Sequence, residues 1–213
     1  MRSIVASIVA LVAAPFMTAT AQSDIETPSY TLISESGSMQ LRDYAPMIAA
    51  EVSVKADNQR EAASRGFRPL AGYIFGGNTA RDKIAMTAPV TSQAAQKIAM
   101  TAPVTSAPSN DGEFIVRFIM PSEWTMDTLP VPNSDRVILT EVPQHTMAAI
   151  RYVGKDSAKI RSEAEADLTE RLTSEGFTVT GSAVWAGYDG PMTPRSQRRY
   201  EIMLPIERAK DAA

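Results

Sequence analysis

The chain has 213 residues, with 21 Lys and Arg against 24 Asp and Glu, a single His and no Cys, for a net charge of −3. That mild acidity argues against nucleic acid as a partner, because neutralising phosphates takes a basic face. The absence of Cys excludes disulfides, a thiolate nucleophile, zinc–thiolate centres and covalently attached haem, so packing must hold the fold.

Residues 1–21 read as a secretory signal: Arg2 supplies a positive start, Ile4 to Phe16 an apolar run, and Ala19-Thr20-Ala21 an Ala-x-Ala cleavage site. The apolar run falls short of the ~20 residues that span a bilayer. Cleavage before Gln22 is therefore expected, leaving an exported protein without stable membrane insertion, periplasmic if the source is Gram-negative. Residues 22–213 contain no Pro-, Gly- or Ser-rich linker and read as one domain.

Tyr30 to Glu35, Met39 to Tyr44 and Met47 to Val54 are β-branched or aromatic runs separated by Ser36-Gly37 and Ala45-Pro46, which predicts three strands joined by tight turns. A helix follows from Asn58 to Phe75, capped by Asp57 or Asn58 and stopped by Gly76-Gly77-Asn78. Pro69 inside it predicts a kink or break near Arg65 to Gly66.

The string Lys-Ile-Ala-Met-Thr-Ala-Pro-Val-Thr-Ser then occurs twice, as Lys83 to Ser92 and as Lys97 to Ser106. Its even positions are the larger apolar ones, which fits two strands, with Pro89 and Pro103 confining each to an edge or a bulge. The copies pair as a hairpin about Gln93 to Gln96, or one enters the sheet and the other lies in a surface loop. Further strands are predicted over Glu113 to Met120, Val137 to Val142 and Thr146 to Val153, with a Pro-rich connection from Trp124 to Asp135. A second helix runs from Ser157 to Ser174, and two last strands span Thr178 to Ala186 and Arg199 to Pro205.

Strands, helix and strands thus occur twice. Met47-Ile48-Ala49-Ala50 precedes the first helix much as Met147-Ala148-Ala149-Ile150 precedes the second. The expected fold is α+β: a curved antiparallel sheet with two helices, built from two ββαβ-like halves.

Lys-Ile-Ala-Met-Thr-Ala-Pro-Val-Thr behind a helix ending Gly72-Tyr73-Ile74-Phe75-Gly76-Gly77-Asn78 resembles the signature of the SOUL/heme-binding protein family. Phe118 to Glu123, Thr128 to Asn133, Gly187 to Met192 and Arg198 to Ile202 are similar to further family segments in the family's order, so the resemblance covers residues 30–206. It implies a distorted barrel and non-covalent binding of haem or a related tetrapyrrole. In described haem binders, basic side chains on the first helix and in the turn before the last strand are implicated. Arg65 matches one such position, while Tyr73 and Thr193 stand at the other two, with Lys83, Arg195, Arg198 and Arg199 nearby.

The sequence contains no Gly-x-Ser-x-Gly elbow and no His-Glu-x-x-His, which points to binding rather than catalysis. The first helix carries Arg65, Arg68 and Tyr73 beside Phe67, Leu70 and Ile74. Spacing alone reads as a core-packing helix with a solvated basic edge, and the resemblance turns it into a ligand wall, an apolar face with cations for propionates. His145 follows Pro143-Gln144 and reads as an exposed turn residue rather than a haem ligand. The His implicated in some family members belongs to an N-terminal segment that has none here. Carriage, buffering or sensing of a tetrapyrrole is the expected role. The alternatives are a sensor or interaction module for another apolar anion, and a haem-modifying enzyme.

Overall fold

A computed structural model describes residues 25–81, 95–109 and 112–209. The expected signal and the first copy of the repeat, with Lys83 and the hairpin it would form, lie outside the described residues. The elements in order are β1 (Tyr30–Ser36), β2 (Met39–Tyr44), β3 (Met47–Val54), α1 (Gln59–Ile74), β4 (Asn78–Thr79), β5 (Val104–Pro108), β6 (Phe114–Ile119), β7 (Val131–Pro132), β8 (Ile138–Val142), β9 (His145–Val153), α2 (Ala158–Ser174), β10 (Phe177–Val179), β11 (Val184–Gly187) and β12 (Arg199–Arg208). Asn58 caps α1 by accepting from the Glu61 N–H, and Ser157 caps α2 in the same way from Ile160.

The main sheet is antiparallel, in the order β1-β2-β9-β12-β11-β5-β6-β3-β8, with β10 on the far end of β12 and a separate β4–β7 ribbon. It is α+β, as expected, but it is not closed into a barrel. β1 and β8 end the path unpaired with each other. β1 is exposed along its whole length and its register slips between Leu32 and Ser34, an irregularity that turns an edge strand away from further pairing.

The sheet order also resolves the two halves. β3, β5 and β6 lie together under α1, and β9, β10 and β12 lie under α2, with β11 beside β12 joining the two groups at β5. β2 pairs with β9 of the second half, and β8 pairs with β3 of the first. Each half is therefore ββαββ, one strand more than expected, with its leading strand lent to the other. Glu51 faces Arg117 across β3 and β6, and Arg151 faces Glu201 across β9 and β12, so each half carries one Arg–Glu pair at an equivalent place.

α1 runs unbroken through Pro69, so of the kink or break expected near Arg65 to Gly66 the break does not occur. Buried Ala62, Gly66, Leu70, Tyr73 and Ile74 hold one face of the span against β3, β5 and β6, and packing outweighs the lost hydrogen bond. The second copy of the repeat enters the sheet only from Val104, in the interior between β11 and β6 rather than at an edge. Pro103 precedes the strand and Pro108 ends it, so neither removes a donor from mid-ladder.

The start of that copy is held by Asn78, whose amide donates to the carbonyls of Tyr73 (2.7 Å) and Gln96 (2.8 Å) and accepts from the Gln96 N–H at 2.9 Å. Asn78 is buried, so Asn78→Ala strands the Gln96 carbonyl and N–H and leaves the Tyr73 carbonyl only the Gly76 N–H at 3.4 Å. A loss of about 2 kcal/mol in urea unfolding is expected. A loss under about 0.5 kcal/mol would show that water replaces the amide.

Candidate functional site

Alternation along the strands gives the sheet two chemically different faces. Ala148, Ile150, Trp185, Ile202 and Leu204 point to the helix side and pack with Leu168 and Leu172. Tyr44, Met147, Ala149, Ala186 and Met203 point the other way and form a small apolar cluster with Met47, Val184 and Tyr188. On this helix-free face a cavity of about 950 Å³ spans both halves. Met47, Ile115, Ile119, Val142, Met147, Val184 and Met203 line it, with Tyr30, Tyr44 and Tyr188 adding aromatic surface.

Its charge contrasts with that of the chain. Arg117, Arg151 and Arg199 border the cavity against a single carboxylate, Asp189, in a protein of net charge −3. Beneath it lies a buried network. Arg42, 0% exposed, donates to both oxygens of Glu201, 2% exposed, at 2.8 and 2.7 Å. Arg151 Nε donates to Glu201 Oε1 at 2.7 Å and the Tyr188 hydroxyl to Oε2 at 2.7 Å.

Burial pushes the Glu201 carboxyl up, but the Arg42 hydrogen bond and charge, with the Arg151 and Tyr188 hydrogen bonds, outweigh it and hold the group below its ordinary range. Burial raises Tyr188, and the neighbouring Glu201 charge raises it further, so it stays a protonated donor. At the rim Arg199 makes a two-pronged pair with Asp189, at 2.8 and 3.0 Å, and these hydrogen bonds are the main reason that carboxyl is lowered. Arg151 and Arg199 keep about half of their side chains exposed, and Arg117, paired with Glu51, about a third. All three guanidiniums thus retain donors for a ligand.

His145 is not in a turn. It opens β9, is half-buried and lines the cavity, with its ring stacked on Tyr44 at a centroid distance of 5.4 Å. Of the residues expected to form the site, Thr193 also borders the cavity, as does Arg199 among the cations expected nearby. Leu70, Tyr73 and Ile74 are packed in the core between α1 and the sheet, Tyr73 donating to the Pro130 carbonyl at 2.9 Å. Phe67 lies against Phe118 on the helix side, Arg68 is exposed, and Arg65 pairs with Glu61 and donates to the Lys55 carbonyl. The structure does not bring these α1 residues together with Thr193. Trp185 and Tyr200 pack on the helix side as well, while Tyr188 faces the cavity.

Arg42, Arg117, Arg151 and Glu201 were not singled out by sequence reasoning. A signal existed: each is a charge inside an otherwise apolar or alternating strand, such as Met39-Gln-Leu-Arg-Asp-Tyr44 or Tyr200-Glu-Ile-Met-Leu204. Charges at such places are seldom buried unless paired.

Two ββαββ halves meeting in one open sheet, with an apolar cleft edged by cations, define a fold shaped to receive a small molecule. Solved structures with the same fold include the C-terminal domain of EcmrR (TM-score 0.58, 12% identity, covering 84% of this chain and 99% of that one). Another is a hydrolase from Listeria innocua (TM-score 0.53, 13% identity, 82% and 94%). The chain belongs to the SOUL heme-binding protein family, whose model matches residues 25–205. It is 28% identical to human Heme-binding protein 2 over 173 residues, covering 79% of this chain and 80% of that protein. The mouse protein of the same name is 28% identical over 156 residues, covering 73% and 72%.

Proposed function

We propose that this protein binds haem or a related tetrapyrrole non-covalently in the helix-free cleft, as a carrier, buffer or sensor rather than an enzyme. The observation that carries this reading is the pairing of an apolar floor with Arg117, Arg151 and Arg199 in an acidic chain. A planar macrocycle needs wide apolar contact, and its propionates need guanidinium partners. The names of its relatives and of its family point to the same ligand. Another flat apolar anion would satisfy the same chemistry and is the second reading.

The test is a hemin titration followed by absorbance, with Arg117→Gln and Arg65→Gln as variants. Arg117→Gln should weaken binding by ~1–3 kcal/mol, since it removes a charge-assisted partner at the cleft edge. Arg65→Gln should bind like the parent, because Arg65 sits on the outer side of α1. The opposite pattern would return the site to the helix. No binding of hemin by the parent would leave the apolar-anion reading. Export belongs to the same proposal: expression with residues 1–21 present should yield periplasmic protein beginning at Gln22, and intact mass retaining Met1 on cytoplasmic protein would remove it.

A further inference from the structure

We infer that His145 supplies the axial ligand to the iron of a haem held in this cleft, through Nε2. The inference rests on the cleft reading above and adds a metal bond to it. His145 Nδ1 lies 2.8 Å from the Pro143 carbonyl. A carbonyl only accepts, so Nδ1 must carry the proton, and in the neutral imidazole the lone pair is then on Nε2. A backbone carbonyl on one ring nitrogen is the arrangement that fixes the tautomer and raises the basicity of a metal-binding His. Among the described residues no hydrogen bond engages Nε2.

The ring is also held in place. Its plane lies within 14° of Tyr44, and the Tyr44 hydroxyl accepts from Arg42 at 2.9 Å, which ties the stack to the buried Glu201 network. An imidazole so fixed loses little freedom on coordinating a metal. The metal it suits is one that brings its other ligands. Among the described residues no group of three or more His, Cys, Asp or Glu is placed to hold an ion, so a bare cation would find one nitrogen. A porphyrin supplies four nitrogens and asks the protein for an axial donor. The same cleft offers three guanidiniums for its carboxylates.

The experiment titrates the full chain and His145→Ala with hemin and, in parallel, with iron-free protoporphyrin IX. The parent should bind hemin about tenfold or more tighter than protoporphyrin, and the variant should bind the two alike, with a shifted Soret band that added imidazole restores. Protoporphyrin affinity should agree within about twofold between parent and variant, which separates ligation from packing against Tyr44. An unchanged Soret band and hemin affinity in His145→Ala would overturn the ligand assignment while leaving tetrapyrrole binding intact. Equal losses for hemin and protoporphyrin would overturn it too, by making His145 a packing residue. If the parent binds neither porphyrin, both this inference and the tetrapyrrole reading of the cleft fall.

Discussion

Glu201→Ala is expected to cost about 3–5 kcal/mol of unfolding free energy at neutral pH, since it leaves Arg42 charged, buried and without its partner. The Tyr188 hydroxyl and one Arg151 donor lose their acceptor in the same step. The double variant Arg42→Met, Glu201→Met should be much milder, because the cost lies in the stranded charge more than in the pair itself. The effect depends on pH with a definite sign. A carboxyl whose folded pKa is depressed contributes stability that is present above its unfolded value of about 4.3 and is lost as pH falls through the folded value. Urea unfolding at neutral pH and in acid should therefore show the gap between parent and Glu201→Ala narrowing in acid. A single variant within about 1 kcal/mol of the parent at neutral pH would mean that water reaches Arg42.

Gly66→Val should cost about 3 kcal/mol, through contact rather than through helix propensity. A Cβ built on Gly66 would lie 2.6 Å from Val116 Cβ and 2.7 and 2.9 Å from its two methyls, so α1 would have to lift off β6. The cause can be isolated with a double-mutant cycle. Val116→Ala alone is destabilising, since Val116 is fully buried, yet combined with Gly66→Val it should recover at least about 1 kcal/mol relative to the sum of the two. Additive losses would place the cost of Gly66→Val in the helix itself.

Gly66 also shows where sequence reasoning runs out. Pro69 and Gly66 together read as a weak point in a helix, because a missing donor and a missing side chain are local deficits. In the fold the absent side chain is what lets α1 approach Val116, and that partner lies 50 residues away. His145 follows the same logic. After Pro143-Gln144 it reads as an exposed turn, whereas β8 and β9 stand on opposite flanks of the sheet, and pairing with Tyr44 makes it the first rung of β9.

What the sequence determined by itself was local or repeated: the bounds of β2 and β3 from turn residues, the helix caps to within one residue, at Asp57 or Asn58 and at Asp156 or Ser157, and the twofold succession of strands around a helix. The tertiary structure alone decided the exchange of β2 and β8 between the halves, the open edge at β1, and which face is left for a ligand. These depend on register. An Arg at position 42, 117 or 151 is marked in the sequence only as a charge within a strand, and a strand from another part of the chain sets which carboxylate it meets and on which side of the sheet. The helix wall and the cleft contain equally plausible cations and apolar residues. Only the packing of Leu70, Tyr73 and Ile74 into the core closes one face and leaves the other open.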